Sequence, residues 1–218
     1  MMSSVEAARR QMVDQQVRAW DVLDDRILDT MVAVPRERFV PPAFRDVAFA
    51  DAEIPLGHGQ VMLAPKVDGR ILQAVAPLQT ETVLEVGTGS GFLTACLARL
   101  AGQVTSIEVH EDLANVARRV LHDLSVRNVG VEVADACLLD TVDGYDVVVV
   151  TASLPVYDPR YERALRPGGR ALLVVGEAPV MQALLVTRTS GNEYLREPVF
   201  ETNLPAMVGA RRPSRFNF

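Results

Sequence analysis

The stretch Val83-Leu84-Glu85-Val86-Gly87-Thr88-Gly89-Ser90-Gly91 constrains this chain more than any other, because it reads as a buried strand turning through three glycines into a helix. Glycines at alternate positions let the backbone take φ > 0 and let a ligand approach the main chain closely. Phe92 to Ala98 then reads as a helix whose unpaired N-terminal N–H groups face that ligand. A second strand, Gln103 to Glu108, ends on a carboxylate 23 residues beyond Glu85. A carboxylate at that strand tip is where a parallel α/β sheet holds a ribose diol. The pattern points to a nucleoside site.

Two details decide which nucleoside. The glycine spacing is G-x-G-x-G rather than the G-x-G-x-x-G of dinucleotide sites, and Ser90-Gly91 leaves little room for a pyrophosphate turn. Glu85, two residues before the first glycine, adds a negative charge that suits a cationic ligand, such as the sulfonium and ammonium of S-adenosylmethionine. Asp135, after the strand Val131-Glu132-Val133, is placed to accept a hydrogen bond from an adenine amino group. Strand, glycine loop, acid, strand, acid is the order of S-adenosylmethionine-dependent methyltransferases. A dinucleotide oxidoreductase and a ligand-free glycine turn are the competing readings.

The rest of the chain is consistent with an α/β sheet. Val5, Ala8, Met12, Gln16, Val17 and Trp20 recur at helical spacing, with Trp20 and Met12 on the apolar stripe. Asp24 caps a second helix that Pro35 ends, and an extended stretch runs from Pro42 to Gly59. Pro65 opens a helix stopped by Pro77. From Thr82 the pattern alternates: strand 82–86, helix 90–100, strand 103–108, helix 111–125, strand 129–134, strand 146–151, helix 158–165 and strand 170–175. Val147 to Val150 and Ala171 to Val175 are continuous apolar runs, as expected of strands covered on both faces. Arg166-Pro167-Gly168-Gly169 reads as a turn, and Ala183 to Glu201 as a hairpin around Ser190-Gly191-Asn192. The expected fold is a Rossmann-like, doubly wound, mostly parallel sheet with an antiparallel edge hairpin and an N-terminal helical cap. Residues 1–78 supply the cap and 79–218 the core of one domain.

Composition excludes several function classes. The 218 residues carry a net charge of −6, so the chain has no general attraction for nucleic acid. Its basic cluster, Arg211-Arg212-Pro213-Ser214-Arg215, reads first as a solvated tail. Cys96 and Cys137 fit neither a metal motif nor a disulfide framework and read as reduced core thiols. His58, His110 and His122 have no spacing that gathers a metal, so none is expected. No apolar run has signal-peptide or membrane-span length, which makes a cytoplasmic protein the expectation.

The chain resembles the protein-L-isoaspartate O-methyltransferases, enzymes that start repair of isomerised aspartyl residues. The resemblance runs from about residue 10 to 190. It rests on Met12-Val13, Val34-Pro35-Arg36-Glu37-Arg38-Phe39-Val40-Pro41, Ala48-Phe49-Ala50-Asp51 and Ile54-Pro55-Leu56-Gly57-His58-Gly59-Gln60. It continues through the glycine loop, Tyr145-Asp146, Thr151-Ala152 and Leu165-Arg166-Pro167-Gly168-Gly169-Arg170. The resemblance implies a class I methyltransferase acting on isoaspartyl proteins or peptides, with S-adenosyl-L-homocysteine as product; a monomer or weak dimer is the expectation for its assembly. It implies cofactor binding by Glu85, Gly87, Thr88, Gly89, Gly91, Glu108, Val109, Asp135, Ala136 and Thr151. It places acceptor binding on residues 57–66, with His58, Gly59, Gln60 and Val61 as contacts.

The acceptor loop departs from the family pattern. After Gly-Gln the family has Thr-Ile-Ser, a variable residue, Pro, and His or Tyr; here the run is Val61-Met62-Leu63-Ala64-Pro65-Lys66. Both hydroxyls are gone, and the serine position is the one that lies against the substrate carboxylate in the family. A lost hydrogen bond to a charged group is worth roughly 1.5–3 kcal/mol, so rate falls without removal of the chemistry. Leu63 therefore occupies the altered acceptor position, and Lys66 is a candidate replacement donor, as are Arg211 to Arg215 folded back. Asp51 is a candidate for holding the loop backbone or for contacting substrate. The C-terminal strand of the family, usually Phe-Val-Pro-Leu in type, is replaced by Glu201 to Met207. Alternative readings are a methyltransferase with a different acceptor and a cofactor-binding module without catalysis.

Overall fold

The computed structural model describes residues 3–213. Helix α1 (Ser4–Met12) begins in a capping box, with Ser3 Oγ accepting from the Glu6 N–H and Glu6 Oε2 from the Ser3 N–H. It continues through a wide π turn (Val13–Val17) and a tight 3₁₀ turn (Arg18–Trp20), ending at Asp21 in the left-handed region. Helix α2 (Asp25–Ala33) is capped by Asp24, and α3 (Pro65–Val75) opens on Pro65, both as the sequence predicts. The stretch expected to be extended instead holds a 3₁₀ segment (Pro42–Val47) and a small hairpin, β1 (Ile54–Gly57) with β2 (Gln60–Met62). Pro41 and Pro42 favour the tight turn over a strand, since proline fixes φ and removes a donor.

The main sheet has seven strands in the order β5-β4-β3-β6-β7-β8-β9. These are β3 (Thr82–Val86), β4 (Gln103–Glu108), β5 (Val129–Val133), β6 (Tyr145–Leu154), β7 (Leu165–Glu177), β8 (Val180–Ser190) and β9 (Glu193–Glu201). Strands β3 to β7 pair in parallel, while β8 and β9 form an antiparallel edge. Helices α4 (Phe92–Leu100), α5 (Glu111–Asp123) and α6 (Arg160–Arg163) connect the strands. The expected helix 158–165 is a single turn, because β7 starts at Leu165. Arg166 to Gly169, expected as a plain turn, bulges within β7 between the partners Tyr145↔Leu165 and Val147↔Arg170.

The core follows the period-2 rule of strands. Val83, Val147, Val149, Leu172 and Val174 join one apolar cluster with Met12, Val17, Ile27, Ile71 and Leu97 of the N-terminal helices and α4. Leu84, Val86, Val148, Val150, Ala171 and Leu173 join a second cluster with Tyr161 and Ala164. The N-terminal helices thus pack on the same apolar layer as the sheet. Met12 is core as expected, but Trp20 lies at the surface under Lys66 rather than inside. Among the described residues, no helix is long and apolar enough to cross a membrane.

Candidate functional site

The order of strands reverses between β3 and β6, the place where parallel sheets open a crevice at their carboxyl ends. A cleft lies there, open to solvent on one side and enclosing about 810 Å³ when its mouth is counted. It brings together Gln60, Val61, Leu63, Gly87, Thr88, Gly89, Glu108, Val109, Asp135, Ala136 and Thr151, all of which the sequence nominates. Residues separated by up to 91 positions meet because every strand of this half ends on the same edge.

The glycine loop has the conformation its sequence demands. Gly87, Gly89 and Gly91 have φ of 96°, 52° and 85°, all in the left-handed region. A Cβ on Gly87 would lie 2.3 Å from Thr151 Oγ1, so the close approach also requires glycine. Thr151 itself donates to the Gly87 carbonyl at 2.8 Å and fixes the loop against β6. Gly91 is the N-cap of α4 and does not line the cleft; it packs against Ala117 of α5.

Two acids line the cleft at the ends of β4 and β5. Glu108 ends β4, buried, with Oε2 accepting from the Gly89 N–H at 2.9 Å and Oε1 from the His110 N–H at 3.0 Å. Each oxygen keeps a lone pair for a ribose hydroxyl, since a carboxylate offers about four acceptor sites. Asp135 caps a 3₁₀ turn (Ala136–Leu138) through Oδ1 on the Cys137 N–H. Its Oδ2 forms no hydrogen bond among the described residues, and Asp135 borders the cleft.

Glu85 is a correction. It does not line the cleft but sits behind the loop, wholly buried, with Oε2 accepting from Thr94 Oγ1 at 2.5 Å and Ser106 Oγ at 2.6 Å. Residues 83 and 85 share the face covered by α4, so strand alternation turns Glu85 away from the ligand. Ser106 Oγ also meets Thr88 Oγ1 at 2.6 Å, so the buried acid braces the glycine loop through one hydroxyl. Burial pushes its carboxyl up to about 8, against the lowering effect of both hydroxyls.

Lys66 is a second correction. Its Nζ pairs with Asp51 Oδ2 at 2.7 Å and lies 4.4 Å from the Trp20 ring centre, outside the cleft. Asp51 therefore holds Lys66 and not a substrate group. His58 and Gly59 also lie outside the cleft, at the tip of the β1–β2 hairpin. His58 stacks on His110 at 4.1 Å and meets Asp112 Oδ2 at 2.9 Å, which clamps the hairpin tip to the start of α5. Of the basic tail, Arg211 to Pro213 are exposed, while Ser214 and Arg215 lie outside the described residues.

Three features have no clear sequence signal. Asp68 of α3 lines the acceptor end of the cleft with its side chain almost wholly buried. Arg36, fully buried, donates from Nη1 to Asp68 Oδ2 at 2.9 Å, from Nη2 to the Leu63 carbonyl at 2.6 Å and from Nε to the Ala48 carbonyl at 3.0 Å. Its planar fork holds the acceptor loop in place. Third, the C-terminal segment crosses the cleft. Pro205 and Met207 exchange backbone hydrogen bonds with Ser153 at the end of β6, and Met207 and Val208 form part of the wall. Met207 Sδ sits 3.1 Å from Tyr161 Oη and 3.9 Å from Cys137 Sγ. No group of three or more metal-binding side chains occurs among the described residues.

Known proteins match both sequence and fold. Residues 7–204 match the family model described as protein-L-isoaspartate(D-aspartate) O-methyltransferase. A protein-L-isoaspartate O-methyltransferase of Syntrophus aciditrophicus is 39% identical over 212 residues, covering 96% of this chain and 97% of its own. One from Koribacter versatilis is 36% identical over 203 residues, covering 92% and 90%. A crystal structure of a Plasmodium falciparum relative, described as a putative protein-L-isoaspartate O-methyltransferase in complex with S-adenosyl-L-homocysteine, superposes with a TM-score of 0.77 at 17% identity, covering 91% of this chain and 97% of that one. On the extent of these matches, the chain belongs to the protein-L-isoaspartate(D-aspartate) O-methyltransferase family.

Proposed function

We propose that this chain transfers a methyl group from S-adenosylmethionine to the α-carboxylate of isoaspartyl residues in proteins or peptides, as the first step of their repair. The observation that carries this reading is the continuity of the cleft. The Gly87–Gly89 loop, Glu108 and Asp135 form one end, and Gln60, Val61 and Leu63 of the acceptor loop form the other.

The residues present fit the cofactor. Glu108 offers free lone pairs to a ribose diol and Asp135 Oδ2 an acceptor to an adenine amino group, with Met207 and Val208 as apolar cover. S-adenosylmethionine supplies an electrophilic methyl group and its own leaving group. A carboxylate with an ordinary value near 4 is already ionised at neutral pH, so the protein has no proton to remove. Its task is to hold oxygen, methyl carbon and sulfur in line, a proximity effect worth up to about 7–11 kcal/mol. The loop pinned by Arg36 and the hairpin clamped by His58 supply that rigidity.

Residues 1–78 and 79–218 act as one domain, a reading supported by the apolar cluster they share. A cytoplasmic location, action as a monomer or weak dimer, and no nucleic-acid partner complete the proposal, the last supported by the net charge of −6. The test is methyl transfer from labelled S-adenosylmethionine to an isoaspartyl peptide beside its aspartyl twin. Selective labelling of the isoaspartyl peptide supports the reading. Tight cofactor binding without labelling of either peptide favours a different acceptor, for which the exchange of both hydroxyls for Val61 and Leu63 is the specific motive.

A further inference from the structure

The acceptor end of the cleft lacks both side-chain hydroxyls of the family pattern, which leaves Gln60 as its side-chain N–H donor. Val61 and Leu63 have no polar side-chain atoms, and Lys66 is turned away onto Asp51 and Trp20. Gln60 belongs to the family pattern alongside both hydroxyls, so it does not replace them. The other polar side chain on this wall is Asp68, which stands beside Leu63 because Arg36 bridges the two. Asp68 Oδ2 is taken by Arg36, whereas Oδ1 has no hydrogen-bond partner among the described residues. A side chain only 3% exposed thus presents one free oxygen to the acceptor space.

Resting on the acceptor proposed above, we infer that the protonated Asp68 carboxyl donates the hydrogen bond that holds the substrate carboxylate in this chain. An ionised Asp68 would repel an anionic acceptor at short range, while a protonated one pairs with it through a short O–H···O⁻ bond. Binding the acceptor therefore takes up one proton, and that proton stays on Asp68 Oδ1 through methyl transfer. The surroundings favour this state. Burial pushes the Asp68 carboxyl up to about 7, opposed by the Arg36 guanidinium. The other ionisable groups coupled to it are Glu85 of β3 and Cys96 of α4, both buried and both themselves pushed up. Neither adds a cation to Arg36, whose guanidinium pairs with Oδ2 in the empty cleft and is the charge that a second carboxylate must share.

The experiment is calorimetric titration of an isoaspartyl peptide into the intact protein saturated with S-adenosylhomocysteine, in two buffers of different ionisation enthalpy at pH 8. Wild type is expected to take up close to one proton per peptide, and Asp68→Asn, which carries a permanent N–H donor, none. In turnover, the wild-type KM for peptide rises about tenfold per pH unit above neutrality, and the Asp68→Asn profile loses that rise. Leu63→Ser, which restores a hydroxyl, weakens the same dependence. Peptide binding with proton uptake that is equal in wild type and Asp68→Asn overturns the inference. A wild-type KM flat with pH, beside a raised one in Asp68→Asn, also overturns it and assigns an ionised Asp68 to a substrate N–H. Failure of the peptide to bind either protein overturns the acceptor reading itself, and this inference with it.

Discussion

Arg36 and Asp68, 32 residues apart in sequence, form a buried ion pair with Nη1 and Oδ2 2.9 Å apart, and the same guanidinium holds the Leu63 carbonyl. The pair links the Val34–Pro41 motif to the acceptor end of the cleft. Removing one partner of a buried pair costs about 3–5 kcal/mol, because the other charge is stranded. Arg36→Met should lower the thermal midpoint by roughly 10 °C for a chain of this size. A fall of less than a degree or two would show that the pair is dispensable.

Glu108 and Lys66 should behave oppositely. Glu108→Ala removes two acceptors from the Gly89 and His110 N–H groups and the proposed ribose contacts, so S-adenosylhomocysteine affinity should fall about ten- to a hundredfold. Lys66→Ala breaks a partly exposed pair with Asp51, worth at most about 1 kcal/mol. Its KM for peptide should stay within about twofold of wild type. Calorimetry on the first variant and steady-state kinetics on the second check both, and a large KM change in Lys66→Ala would return that lysine to the acceptor site.

The buried Glu85 ties stability to pH. Its carboxyl is raised from 4.5 to about 8 by burial, so the folded chain holds that proton more tightly than the unfolded chain. The stability it contributes is complete below the unfolded value and declines as pH rises through about 8. At about 1.4 kcal/mol per unit of pH, the contribution lost between roughly pH 5 and pH 8 is up to about 4 kcal/mol. Glu85→Gln should flatten the dependence, measured by denaturant unfolding across that interval. Equal slopes in the two proteins would place an ionised Glu85 in the native state.

The C-terminal wall predicts a defect in cofactor binding without loss of fold. Met207 meets Tyr161 and Cys137 on one side and borders the cleft on the other. Met207→Ala should weaken S-adenosylhomocysteine several-fold, in line with about 1 kcal/mol for each buried methylene removed. Far-ultraviolet circular dichroism should be unchanged. Unaltered affinity would show that the wall does not touch the ligand.

Local rules made one end of the cleft readable. Gly87, Gly89, Glu108 and Asp135 lie at strand ends, and strand order alone brings them together. Glu85 reads as facing the ligand because spacing in sequence does not reveal which face of β3 a helix will cover; Thr94 and Ser106 decide that. Lys66 reads as a cation beside the acceptor loop, but its fate depends on Asp51 and Trp20, which the N-terminal segments deliver from 15 and 46 residues away. Asp68 looks like an ordinary polar position in the first turn of a helix until Arg36 is packed against it. Met207 and Val208 carry no motif, and their role arises from backbone pairing with Ser153 over more than 50 residues.

That last pairing sets an order of events during synthesis. The glycine loop, Glu108, Asp135 and the β1–β2 hairpin are all made before residue 136, yet the cleft lacks one wall until Pro205 and Met207 reach Ser153. A chain still tethered at its C-terminal end, or one clipped ahead of Leu204, would carry Glu108 and Asp135 and yet lack the wall that Met207 and Val208 supply.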